Sequence, residues 1–163
     1  MCTAYYLACF DSFTGHMEAA RTHLRGFRSL ADERGGLKNL SWPLKCEVIA
    51  IDLFIARNSL SDPVFEVAEY DPGSFWERMT PEERKALMQD YGLSKEKLDD
   101  LSSPYTEYIY CGYCEFLAVH DLVGKTEDTT RRTKILLWTH MRKYALAAHV
   151  LDMRLQLGCH LRR

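Results

Sequence analysis

His16-MEAARTHLRGFRSLADERGGLKNLSWPLKCEVIAIDLFI-Ala56 decides the fold: a helix, a double-glycine stop, a short loop, and a second helix that starts at a proline. Ala20, Leu24, Phe27 and Ala31 recur at three- and four-residue steps, which places them along one face of a helix. Arg21, Arg25, Arg28 and Asp32 fall on its other faces. Arg34 followed by Gly35 and Gly36 is the order of a helix end: a cation near the last carbonyls, then residues that accept positive φ. Pro43 is expected as the first residue of the next helix, where its missing N–H costs nothing. Leu44, Val48, Ile51, Leu53, Phe54 and Ile55 make that helix apolar on most sides, so it should be the more buried of the two.

The same reading extends outward. Residues 2–13 form a helix in which Tyr6, Leu7, Cys9 and Phe10 are expected in the core, and Gly15 separates it from the next helix. Two helices joined by so short a turn pack antiparallel. A chain that opens on its own core, without a polar lead-in, is expected to be a piece of something longer. Residues 57–79 lose periodicity and carry Ser59, Asp62, Pro63, Asp71, Pro72 and Gly73, a composition that predicts a surface loop.

Thr80-Pro81-Glu82-Glu83 predicts a capped helix start, with the helix running to Tyr91 and stopping at Gly92. Ser94 opens a short charged helix through Leu101. Pro104 begins an apolar one in which Ile109, Tyr113, Phe116, Leu117 and Val119 are assigned to the core. Residues 130–158 carry the longest helical pattern, from Ile135, Leu136 and Trp138 to Leu151, Met153 and Leu155, with a strongly cationic opposite side and Gly158 as its end. The expectation is therefore one all-α domain over 1–163: an antiparallel array of six to seven helices, packed in the manner of helical repeats, with no strand-rich region.

Composition narrows the function classes. At 163 residues and 47% hydrophobic, the chain can bury a sizeable core. Its apolar runs are too short to span a bilayer, and the basic start and long apolar core of a secretory signal are missing, so an intracellular protein is expected. Six cysteines scattered in apolar helical context suit reduced thiols better than a disulfide framework.

The net charge of −2 hides an uneven distribution. Residues 1–59 hold seven Lys/Arg against six Asp/Glu, residues 60–128 six against sixteen, and residues 131–163 eight against one. An acidic middle and a basic end are expected to form complementary solvated faces, or to pack on each other, or to face different partners. The cations of the last helix and tail, Arg131, Arg132, Lys134, Arg142, Lys143, Arg154, Arg162 and Arg163, are spread over several faces and turns. Direct DNA binding, which needs one dense basic patch, is not expected.

Cys111-Gly-Tyr-Cys114 has the two-residue spacing with which two thiolates reach one zinc ion. A structural site needs four ligands, which His120, His140, Cys159 and His160 would have to complete from other helices, so buried helical thiols are the plainer reading. A small metal- or redox-linked helical protein using Cys111 and Cys114 is the alternative function. A thioredoxin-type role lacks the βαβ context such a motif requires. His16, His23, His140 and His149 belong to no recognisable catalytic set, Gly35-Gly36 has no phosphate-loop context, and no enzyme activity, cofactor or metal is assigned.

The stretch from Glu18 to Leu37, the Leu40-Ser-Trp-Pro-Leu44 loop and the helix containing Ile51, Asp52 and Leu53 resemble the regulatory domain of the fungal transcription factors that carry a binuclear zinc-cluster DNA-binding module. The matching pattern is A-x-x-H-L-R-G at Ala20, His23, Leu24, Arg25 and Gly26, then R-G-G-L at Arg34, Gly35, Gly36 and Leu37; it covers about residues 4–57. The resemblance implies an all-α fold, a nuclear rather than cytoplasmic setting, and transcriptional regulation through an effector, self-association or protein partners of the transcription machinery. The six closely spaced cysteines and basic linker of the zinc cluster are missing, so neither zinc nor DNA binding is carried over, and the chain is expected to be a truncated factor or a stand-alone relative.

Overall fold

The computed structural model describes residues 1–100 and 106–160. Among these the chain is all-α, with seven α-helices, three single 3₁₀ turns and no strand: α1 Cys2–Phe13, α2 Met17–Asp32, α3 Trp42–Ser59, α4 Pro81–Tyr91, α5 Lys95–Asp99, α6 Thr106–Lys125 and α7 Thr129–His160. Neighbouring helices meet as antiparallel pairs, α1 with α2, α2 with α3, and α4 with α6. Contacts divide the chain into two compact units, residues 1–70 with the end of α7 from Arg154, and Asp71–Met153.

In the first unit, α2 buries the predicted face: Ala20, Leu24, Phe27 and Ala31 are fully enclosed. The helix stops at Asp32, and the backbone then folds back so that Gly36 N–H donates to Ala31 O and Gly35 N–H to Asp32 O, both at 2.9 Å. Gly35 sits at φ +91 and Gly36 at φ +83, a region glycine enters without the penalty a Cβ brings. A Cβ at Gly35 would also strike the side chain of Asn39, which donates to Arg34 O.

The second helix of the pair begins at Trp42, one residue before Pro43. The shift is permitted because no N–H in a helix's first turn has an intrahelical partner to lose. As expected, α3 is broadly buried, through Val48, Ile49, Ile51, Ile55 and Ala56, but Phe54 is partly solvent-facing. Buried in the same helix, Asp52 accepts from Val64 N–H and Phe65 N–H at 2.8 Å each. Arg28 of α2 donates to Val64 O at 2.8 Å and Glu69 Oε1 at 2.7 Å, with its guanidinium 5.1 Å from the Phe65 ring centre. Two charged side chains thus clamp a segment with no α-helix of its own, in which a single 3₁₀ turn spans Val67–Glu69.

That segment departs from the surface loop expected over 57–79: Phe65, Tyr70, Phe75, Trp76 and Met79 are all buried. The polar, glycine- and proline-containing residues set the backbone path, while the aromatic ones between them close the cores of the two units. α1 departs in the other direction. Its buried residues are Ala8 and Ser12, and Tyr6, Leu7 and Phe10 stand exposed, because α1 meets its neighbours through its small residues.

In the second unit the Thr80 cap forms as predicted: Thr80 N–H donates to Glu83 Oε2 at 2.7 Å, Glu83 N–H to Thr80 Oγ1 at 3.3 Å, and Gly92 ends the helix at φ +62. Phe75, Trp76, Met79, Leu87, Leu93 and Leu98 make a core with Cys111, Cys114, Val119, Ile135 and Trp138. On α6, Val119 is core as expected, whereas Tyr113 and Leu117 are exposed. Leu101 and Pro104, the expected end of α5 and start of α6, lie outside the described residues. Gly158 does not end α7, which continues to His160.

Candidate functional site

Within the second unit, the most unusual chemistry surrounds Arg142 of α7. Its side chain is 1% exposed, and Nη1 donates to both carboxylate oxygens of Asp71 at 2.9 Å. Glu115 of α6, 0% exposed, accepts through Oε1 from Ser74 Oγ–H and Phe75 N–H at 2.7 Å each, and its Oε2 lies 3.9 Å from Arg142 Nη2. Burial pushes the Glu115 carboxyl up, opposed by the Ser74 bond and the Arg142 charge. Arg142 also lies over the Tyr108 ring, 5.9 Å from its centre. The Tyr108 hydroxyl stands 2.7 Å from His149 Nε2, and burial lowers the His149 pKa, so a neutral imidazole can accept a hydrogen bond from the Tyr108 O–H. At Gly112 a Cβ would come within 2.5 Å of Leu146 Cδ2, so a bare backbone lets α6 approach α7 around this network.

Arg142 and Glu115 are enclosed by protein; Arg142 Nη1 is satisfied by Asp71, whereas Arg142 Nε and Nη2 and Glu115 Oε2 make no hydrogen bond among the described residues, and the evident work of the network is to tie Asp71 and Phe75, on the segment before α4, to α6 and α7. By residue type Arg142 counts with the cationic side of α7, yet it stands seven residues after Ile135 and four after Trp138, in the buried stripe. Of the other predicted cations, Arg131 pairs with Glu83 at 2.7 Å, and Arg132, Lys134, Lys143 and Arg154 are exposed. Arg162 and Arg163 lie outside the described residues. The acidic middle and the basic helix therefore do meet in part, through Arg131–Glu83, Arg142–Asp71 and Arg142–Glu115.

Cys111 and Cys114 lie together in the core of the second unit, and burial raises the Cys111 pKa, which favours the thiol over the thiolate that binds metal. Among the described residues no group of three His, Cys, Asp or Glu gathers in metal-binding geometry; the side chains of Cys159 and His160 lie outside that description. His16 and His23 sit 4.0 and 3.3 Å from Asp11 in the first unit, and His140 Nδ1 is 2.9 Å from Leu136 O. No helix among the described residues is long and apolar enough to cross a membrane.

Two surface features remain. In the first unit, α1 presents Tyr6, Phe10 and Phe13 to solvent at 68, 64 and 77% exposure, and the Phe13 ring centre lies 6.0 Å from that of Phe54 on α3. In the second, a groove of about 250 Å³ runs between α4 and α6, walled by Leu87, Ala118 and Leu122. Glu82, Asp90 and Asp121 stand on its rim, with Lys125 at one edge. Comparison with family models, curated proteins and solved structures finds no match for this chain.

Proposed function

We propose that the chain is a regulatory interaction module that works through contacts with other proteins, without a DNA-reading part or enzyme activity of its own. The observation that carries this reading is the aromatic face of α1. Tyr6, Phe10 and Phe13 recur at helical steps on one side, and contiguous exposed apolar surface of this kind marks protein-contact sites. Charged or polar residues at those positions would serve a purely solvated helix better. The finer assignment, a nuclear module of the transcription-regulator type, rests on the resemblance at Ala20, His23, Leu24, Arg25 and Gly26 and at Arg34–Leu37. Leu24 and Leu37 of that pattern serve the core, whereas a Cβ at Gly26 would meet open space, so packing does not demand glycine there.

The test is a tethering assay. The full chain, fused to a heterologous DNA-binding domain, is expected to change reporter expression in a fungal host, and Phe10→Ser with Phe13→Ser to abolish the change at equal protein level. The isolated chain should not retard duplex DNA in a gel shift. No change in reporter output, or tight and salt-sensitive DNA binding by the chain alone, would overturn the reading.

A further inference from the structure

We infer that the groove between α4 and α6 is a docking site for a basic amphipathic helix of a partner protein, with one or two large apolar side chains inserted and Lys or Arg on the flanks. This rests on the reading of the chain as an interaction module and names a partner class for a second surface. Size comes first. At about 250 Å³ the groove is smaller than the 300–1,000 Å³ typical of small-molecule sites, but has room for anchoring side chains. Its apolar floor is the buried Leu87 and its walls the partly buried Ala118 and Leu122, which suit aliphatic or aromatic anchors, the kind of contact that dominates helix-in-groove recognition.

Charge selects the partner. Of the four carboxylates lining the groove, Glu83 is engaged by Arg131 at 2.7 Å. Asp121 accepts a hydrogen bond from the Tyr91 hydroxyl, and Glu82, Asp90 and Asp121 stand on the rim against the single lining cation Lys125. An acidic helix would be repelled, and an uncharged one would forgo the attraction. The apolar surface also continues past the groove: Tyr110, Tyr113 and Leu117 are exposed on α6, and Leu117 lies one turn before the rim residue Asp121. A helix seated in the groove could therefore extend its contact along α6.

The experiment titrates the full chain with three fluorescent helical peptides of about four to five turns: Leu anchors at i, i+3 and i+7 with Lys flanks, the same anchors with Glu flanks, and the Lys peptide with its anchors changed to Ser. Saturable binding is expected for the first, at least about tenfold weaker binding for each of the others, and weakening as salt screens the rim. Asp90→Lys and Ala86→Trp, both at exposed lining positions on α4, should each weaken the first peptide by about tenfold, through charge and through filling the groove. Circular dichroism checks that both variants remain folded. Equal binding of Lys and Glu peptides, equal binding without anchors, indifference to both substitutions, or no saturable binding up to about 1 mM, a free energy near −4 kcal/mol, would each overturn the proposal. The α1 tethering assay separates the two readings: reporter activity lost with Phe10 and Phe13 while no peptide binds refutes the groove alone.

Discussion

Replacing Arg142 by alanine should unfold the second unit far more readily than any surface substitution. Three losses combine. The two hydrogen bonds to Asp71 are charge-assisted, a class worth about 1.5–3 kcal/mol each. The cation 3.9 Å from Glu115 disappears, leaving a fully buried carboxylate without its counter-charge. Contact with the Tyr108 face goes too, at about 2 kcal/mol for a desolvated pair. These do not add simply, and breaking a buried pair by removing one partner costs about 3–5 kcal/mol, which is the loss expected here. Urea unfolding followed by tryptophan fluorescence reads it, since Trp76 and Trp138 both lie in this core.

The pH dependence tests the cause. Glu115 already titrates above its ordinary value, and removing Arg142 takes away a charge that holds it down. A carboxyl whose folded pKa is raised stabilises most below its unfolded value and loses that stability as pH rises through the folded one. The Arg142→Ala penalty should thus be smaller at pH 4.5, where a neutral Glu115 needs no counter-charge, than at pH 7.5. Adding Glu115→Gln in the Arg142→Ala background should recover part of the loss at pH 7.5. A penalty below about 1 kcal/mol, or one identical at both pH values, would refute the claim that a desolvated charge network holds this unit together.

Two further outcomes follow from the first unit. Leu24→Ala, at a fully buried position on α2, should cost about 2–5 kcal/mol by denaturant titration monitored by circular dichroism, and a loss under about 0.5 kcal/mol would mean that the wrong face had been placed inside. Burial raises Asp52 to about 6, against the opposing pull of the Val64 and Phe65 N–H groups and of Arg21 and Arg28. With a folded pKa about two units above the unfolded one, this group's stabilisation is full below about pH 4 and falls by about 3 kcal/mol as pH rises through 6. Asp52→Asn should remove that component, so wild-type and variant stability profiles that run parallel between pH 4 and 7 would exclude it.

Helices were legible because their information is local. The α2 face, the Thr80 cap and the Gly92 stop each depend on residues within one or two turns, and all three form as the spacing predicts. Position in a helix also marked the buried charges, although residue type obscured them. Asp52 stands four residues after Val48 and four before Ala56, Glu115 four after Cys111 and four before Val119, and Arg142 four after Trp138: each is in core register. Taken as charged, each reads as solvent-facing. What makes burial tolerable is a partner 12 to 71 residues away, which spacing along one helix does not reveal.

The candidate surfaces illustrate the same division. Tyr6, Phe10, Tyr113 and Leu117 have the hydrophobicity of core residues, and only the placement of neighbouring helices turns them outward. Glu82, Asp90 and Asp121 were visible as charge, but their convergence on one apolar groove requires α4 to lie against α6. By itself the sequence determined where most of the helices lie, the stops at Gly35–Gly36 and Gly92 and the buried stripe of α2, but not the end of α7, because backbone hydrogen bonding and a 3.6-residue period act over a few residues. Tertiary structure decided which charges are enclosed and which apolar residues remain outside, because burial depends on what packs against a side chain, and its neighbours here come from distant parts of the chain.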